Sequence, residues 1–119
     1  MSTDTHVIES ILSELLGEVF ESYKKNLSKA DDADKQGSDP YSRAKTALRD
    51  LSTEDKQAIF DFIRLAMVDT SSVIFGTIDG SHFPENIDGD FSLEYDGEEI
   101  HGSLQDELIS LAEDQGVYK

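Results

Sequence analysis

The 119-residue chain has no cysteine, no tryptophan and two prolines, and between Arg64 and Lys119 it has no lysine or arginine. Each shortage excludes something. Without cysteine there can be no disulfide, no thiolate zinc site and no cysteine nucleophile. No stretch of about 18 apolar residues is present to cross a bilayer. The opening residues, Met1-Ser-Thr-Asp-Thr-His6, lack the basic flank and apolar core of a secretory leader. The expectation is a cytoplasmic protein of bacterial type. No GxSxG, P-loop, GxGxxG or HExxH pattern occurs, and Ser71-Ser72 has no histidine or lysine beside it. Neither catalysis nor a cofactor is expected.

What the chain does have is acid. Asp and Glu number 26 against 10 Lys and Arg, for a net charge of −16. Residues 1–64 hold 13 acids and 9 bases, whereas residues 65–119 hold 13 acids against Lys119 alone. Such a field repels nucleic acid, whose binders neutralise phosphates with Lys and Arg, and it repels anionic lipid. It speeds encounter with a basic protein, although acidity also serves plain solubility. A basic protein is therefore the expected partner, with no nucleic acid and no membrane.

The apolar fraction, 37 %, falls in periodic blocks and suits one domain, 1–119, with a flexible connection at about 28–38. From Val7 and Ile8 to Tyr23 and Leu27, apolar residues recur at helical spacing, so a long amphipathic helix is expected, capped by Asp4 or Thr5 and weakened only at Gly17. Asp39-Pro40 suits the start of a short helix through about Leu51. Ser52 and Asp55 form a capping pattern for a second long helix towards Ile78. Its residues 59–68 are apolar over most of the circumference, which predicts the central, most buried helix, with Ile63 and Met67 facing Leu12, Leu16 and Phe20. Asp61 and Arg64, three apart, predict an ion pair. Phe91 to Tyr95 alternates, Asp96-Gly97 supplies a type I′ turn, and Glu98 to His101 returns as a hairpin whose Phe91, Leu93 and Tyr95 should pack on a helix. Gly97 should need a positive φ and Gly37 should not. Ser103 and Asp106 repeat the capping pattern before a last helix from Leu104 to about Asp114. The fold class is mainly α with a minor β element: two long amphipathic helices, one short helix, a β-hairpin and a C-terminal helix.

The loop from Asp79 to Asp90 invites a calcium reading that its spacing does not sustain. An EF-hand places acids at positions 1, 3 and 5, Gly at 6 and Glu at 12. With Gly89 at position 6, Pro84 falls at position 1; with Gly97 there, Ser92 falls at 1 and Ser103 at 12. His6, His82 and His101 lie in no ligand spacing, so no metal site is expected, and His82 and His101 read as surface histidines. The candidate partner-binding residues are the carboxylates of the loop and hairpin: Asp79, Asp88, Asp90, Glu94, Asp96, Glu98 and Glu99.

In general character, small, helical and acidic, the chain resembles bacterial immunity proteins, and no particular family is identified. The resemblance implies a non-enzymatic inhibitor that masks the basic surface of a toxin, a nuclease in its most concrete form. Two other classes stand beside it. One is a structural or regulatory domain without catalytic activity that associates with itself, as a homodimer. The other is a cation-dependent ligand-binding module using the 79–90 loop.

Overall fold

The amphipathic stripe of the first segment folds as a single helical rod in three stretches: α1 (Thr3–Glu14), a π-helical turn (Leu15–Val19) and α2 (Phe20–Ser28). The structure, a computed structural model, describes residues 2–29 and 37–119. Ser2, not Asp4 or Thr5, caps the rod, its hydroxyl accepting from the Thr5 amide at 3.4 Å. Hydrogen bonds from the Ser2 side chain and the Thr5 amide hold the Asp4 carboxyl below the usual carboxylate range. Ile8, Leu12, Leu16 and Phe20 are the buried positions of the rod. They recur every four residues, and in a helix of 3.6 residues per turn each such step overshoots by about 40°. The wide turn, where the Phe20 amide reaches the Leu15 carbonyl five residues back, takes up part of that drift. Gly17, a weak helix former, sits inside it, where widening costs least.

Of the expected connection at 28–38, residues 30–36 lie outside the described residues. Helix α3 (Pro40–Leu48) then begins on Asp39, whose carboxylate accepts from the Ser42 amide at 3.2 Å and the Ser42 hydroxyl at 2.7 Å. Those bonds hold the Asp39 carboxyl below its ordinary value. Helix α4 (Thr53–Asp79) is capped by Ser52, whose hydroxyl accepts from the Asp55 amide at 3.0 Å. It runs 27 residues, straight through Val73-Ile74-Phe75-Gly76, and stops at Gly80, whose φ of 82° is left-handed.

Two apolar clusters hold these helices together. The larger joins Ile8, Leu12 and Leu16 of the rod, Val68 of α4, Ile100, Val117, and Leu104, Leu108 and Ala112 of α5 (Leu104–Asp114). The smaller joins Phe20, Leu48 and Phe60, with Ile63 and Met67 half-buried against it. The last helix, α5, therefore lies between α1 and α4 and is the most buried helix, a place the sequence pattern assigns to α4. Ile63 and Met67 pack against the cluster that contains Phe20, but Leu12 and Leu16, also expected to face them, belong to the other cluster. The reason is geometric. A helix apolar all round needs cover on every side, and here α5 covers one side of α4 while Phe20 and Leu48 cover it at Phe60. The molecule measures 50 × 33 × 26 Å, and its radius of gyration of 17.6 Å exceeds the roughly 13.5 Å of a compact chain this long.

The hairpin pairs β1 (Glu94–Tyr95) with β2 (Glu98–Glu99) antiparallel, Glu94 opposite Glu99 and Tyr95 opposite Glu98. Asp96 (φ 52°) and Gly97 (φ 81°) make the type I′ turn. The Ile100 amide donates to the Leu93 carbonyl at 2.9 Å, and only this base of the hairpin reaches the core. Phe91 and Tyr95, expected to pack on a helix, are 47 % and 51 % exposed. Gly97→Val should cost about 1–2 kcal/mol through backbone strain alone, since a side chain there meets no neighbour. Faster hydrogen exchange at the Ile100 amide with unchanged helix content would report it; an unaltered exchange rate would contradict the left-handed turn. Gly37 is not the permissive comparison its sequence context suggests, because a Cβ there would collide with the Ser42 side chain.

Candidate interaction surface

The seven candidate carboxylates divide six to one. Asp88 and Asp90 stand exposed on the loop, and Glu94, Asp96, Glu98 and Glu99 on the hairpin. Asp79 does not join them. At the last residue of α4, half-buried, its carboxylate accepts from the Gly102 amide at 2.7 Å and the Gln105 amide at 2.8 Å. It thereby caps α5, the role expected of Ser103, whose side chain makes no cap hydrogen bond. Gln105 continues the seam between the helices. Its Nε2 donates to the Ser72 carbonyl (3.1 Å) and hydroxyl (3.0 Å), and its Oε1 accepts from Ser81 Oγ at 2.9 Å. The Gln105 side chain lies directly over buried Gly76, where a Cβ would come within 2.6 Å of Nε2, so this glycine allows the close approach of Gln105 to the helix.

His82 is exposed, whereas His101, expected on the surface, is half-buried and accepts from the Leu93 amide through Nδ1 at 3.2 Å, tying the base of the hairpin. Asp61 and Arg64 do not form the ion pair expected of them. Asp61 accepts from Gln57 Nε2 at 2.8 Å, and Arg64 reaches the Gln115 carbonyl at 3.1 Å. Among the described residues no three His, Asp or Glu side chains gather as metal ligands.

Charge is separated along the rod. The hairpin tip (Tyr95, Asp96, Glu98) shares a hollow with Ser2, Thr3 and His6 at the rod's start. Lys29, Lys45, Arg49 and Lys56 border a hollow of about 50 Å³ beside Leu27, at its far end. At 1.5 Å per residue the two ends lie roughly 40 Å apart.

Sequence reasoning missed an apolar groove of about 570 Å³ between the rod and α4. Leu15, Val19 and Tyr23 form one wall and Phe62, Ile63, Ala66 and Met67 the other, with Thr70 and Ser71 completing it. Phe62 is 68 % exposed and is the ridge between this groove and a second hollow lined by Leu65, Val117 and Tyr118. Burial, with Asp69 and Glu113 nearby, pushes the Tyr118 phenol above its ordinary value. The Tyr23 ring stacks on Tyr41 at a centroid distance of 6.3 Å. Ile59, Val73 and Ile74 extend the apolar exposure along α4. A signal for it does exist in the sequence: a helix apolar over most of its circumference, in a chain with too few other elements to cover it.

Comparison with protein-family models, curated proteins and solved structures finds no match to this chain. No helix among the described residues is long and apolar enough to cross a membrane. By fold and surface the chain is a small, mainly helical domain with exposed acids on a loop and hairpin and an open apolar groove.

Proposed function

We propose that this chain is a non-catalytic protein-binding domain whose partner is basic. The observation that carries the reading is the set of six exposed carboxylates, Asp88, Asp90, Glu94, Asp96, Glu98 and Glu99, in a stretch without any Lys or Arg to neutralise them. Unpaired like charges concentrated in one stretch raise a potential that draws a basic surface in and orients it. In the finer version the partner is a toxin that the domain inhibits, a nuclease most concretely. Nucleases hold phosphates with Lys and Arg, and an array of carboxylates competes for those side chains.

Rim charges act on association rate and its salt dependence, whereas buried contacts act on dissociation. Asp88→Lys with Asp90→Lys should therefore slow association about tenfold at low salt and flatten the salt response, with the fold intact. Glu9→Lys with Glu14→Lys, on the exposed side of the rod, is the matched control. The measurement is binding kinetics across a salt series, against the basic protein captured from the source organism at low salt. Equal behaviour of the two double variants would leave the acidity as solubility alone.

A second reading, a self-associating domain, is favoured by the exposed apolar residues Ile59, Phe62, Val73 and Ile74 of α4. Dimerisation that persists as salt rises would support it, since apolar contacts do not screen.

A further inference from the structure

We propose that the groove between the rod and α4 receives one amphipathic helix of a protein partner, apolar on the face that enters and basic on both flanks. This rests on the reading of the chain as a binding domain for a basic protein, and it names the surface that holds the partner once charge has brought it in.

The two walls share the cluster at Phe20 and Phe60 and then leave an unfilled gap between them. Val19 and Tyr23 stand one turn apart on one wall, as do Phe62 and Ala66 on the other. An entering helix with apolar side chains at i, i+3 or i+4, and i+7 meets apolar surface on both sides. No charged residue lines the groove. Acids stand outside it on both walls. Glu14 and Glu18 line the hollow on the outer surface of the rod, and Asp61 lines the hollow beyond Phe62, where Lys119 is the one base. Exposed Asp69 follows Ala66 by three residues, at the rim. An apolar stripe with acids on either side is complementary to an apolar ridge with Lys and Arg on either side.

The other occupants fit less well. Residues 30–36 of this chain, Ala-Asp-Asp-Ala-Asp-Lys-Gln, carry no apolar side chain larger than Ala and have nothing to insert. A second copy would bring another net charge of −16 and set acidic rims against acidic rims. The same acids repel an anionic lipid surface.

The test uses the full chain and a synthetic peptide of about 18 residues, with Leu at helical spacing and Lys elsewhere, beside a scrambled peptide of identical composition. Binding is read by fluorescence anisotropy at about 150 mM salt and located by backbone amide shifts. The amphipathic peptide should shift Leu15, Val19, Tyr23, Phe62 and Ala66. Phe62→Ser and Ala66→Arg, both at exposed positions, should each weaken it by about tenfold or more with the circular dichroism spectrum unchanged, and the scrambled peptide should bind at least about tenfold more weakly. Equal binding of the two peptides would overturn the proposal, as would shifts confined to the hairpin. A dimer in sedimentation that Ala66→Arg disperses would overturn it in favour of a second copy. The two readings fail separately. Loss with Asp88→Lys/Asp90→Lys but none with the groove variants leaves a basic partner docked on another face and sinks the groove. The reverse pattern upholds the groove and removes steering by the loop carboxylates.

Discussion

Leu108→Ala is expected to cost about 3–5 kcal/mol, a large share of the total stability of a domain this size. Leu108 is fully buried on α5, the helix packed between α1 and α4, in the cluster that includes Leu12, Val68 and Leu104. Neighbours on two sides, each anchored in its own helix, cannot collapse into the space, so the cavity term adds to the lost transfer free energy. Phe62→Ala removes a larger side chain and should cost under about 1 kcal/mol, because Phe62 is 68 % exposed. Urea unfolding with unchanged m-values separates the two. A small loss at Leu108 with a large one at Phe62 would restore α4 as the central helix and close the groove.

That contrast also marks how far the sequence could be read. Periodicity finds which segments are helical because helical spacing reflects burial directly: α1 with α2, α4 and α5 lie where their apolar repeats predict, and the caps at Asp39 and Ser52 are local bonds between near neighbours. Asp96-Gly97 is legible for the same reason, since a type I′ turn is a property of two residues. Which helix sits in the middle is not local. Apolar residues such as Ile59, Phe62, Val73 and Ile74 look alike whether a neighbour covers them or not, and counting them as core hid the groove. Ile100 and Val117, only 4 % and 7 % exposed, show the converse. Each is a single apolar residue in a polar context, with no period to announce it. The candidate carboxylates were legible as a set, because a 54-residue absence of Lys and Arg needs no structure to be seen. What separates Asp79 from the other six is a tertiary bond to residues more than 20 positions away.

Asp79→Ala should therefore behave as a core lesion and not as the loss of a surface charge. Its carboxylate supplies both hydrogen bonds that start α5, and bonds to a charged acceptor are worth about 1.5–3 kcal/mol. Gly102 is exposed and water can replace its partner, but the Gln105 amide is part-buried and would be left short of one. The expected loss is about 2–3 kcal/mol, with faster exchange at the Gln105 amide. Ser103→Ala should cost no more than a few tenths of a kcal/mol, since Ser103 occupies the cap position without bonding the helix. Equal losses at the two sites would return the cap to Ser103 and free Asp79 for the acidic face. The distinction matters for function as well as fold. The seam from Asp79 through Gln105 to Ser72 and Ser81 joins α5 to the end of α4, where the chain leaves for the loop and hairpin. A charge reversal at Asp79 would disturb the support of all six exposed carboxylates at once. Reversals at Asp88 and Asp90 touch no such bond, so any change they make in association kinetics reports the field itself.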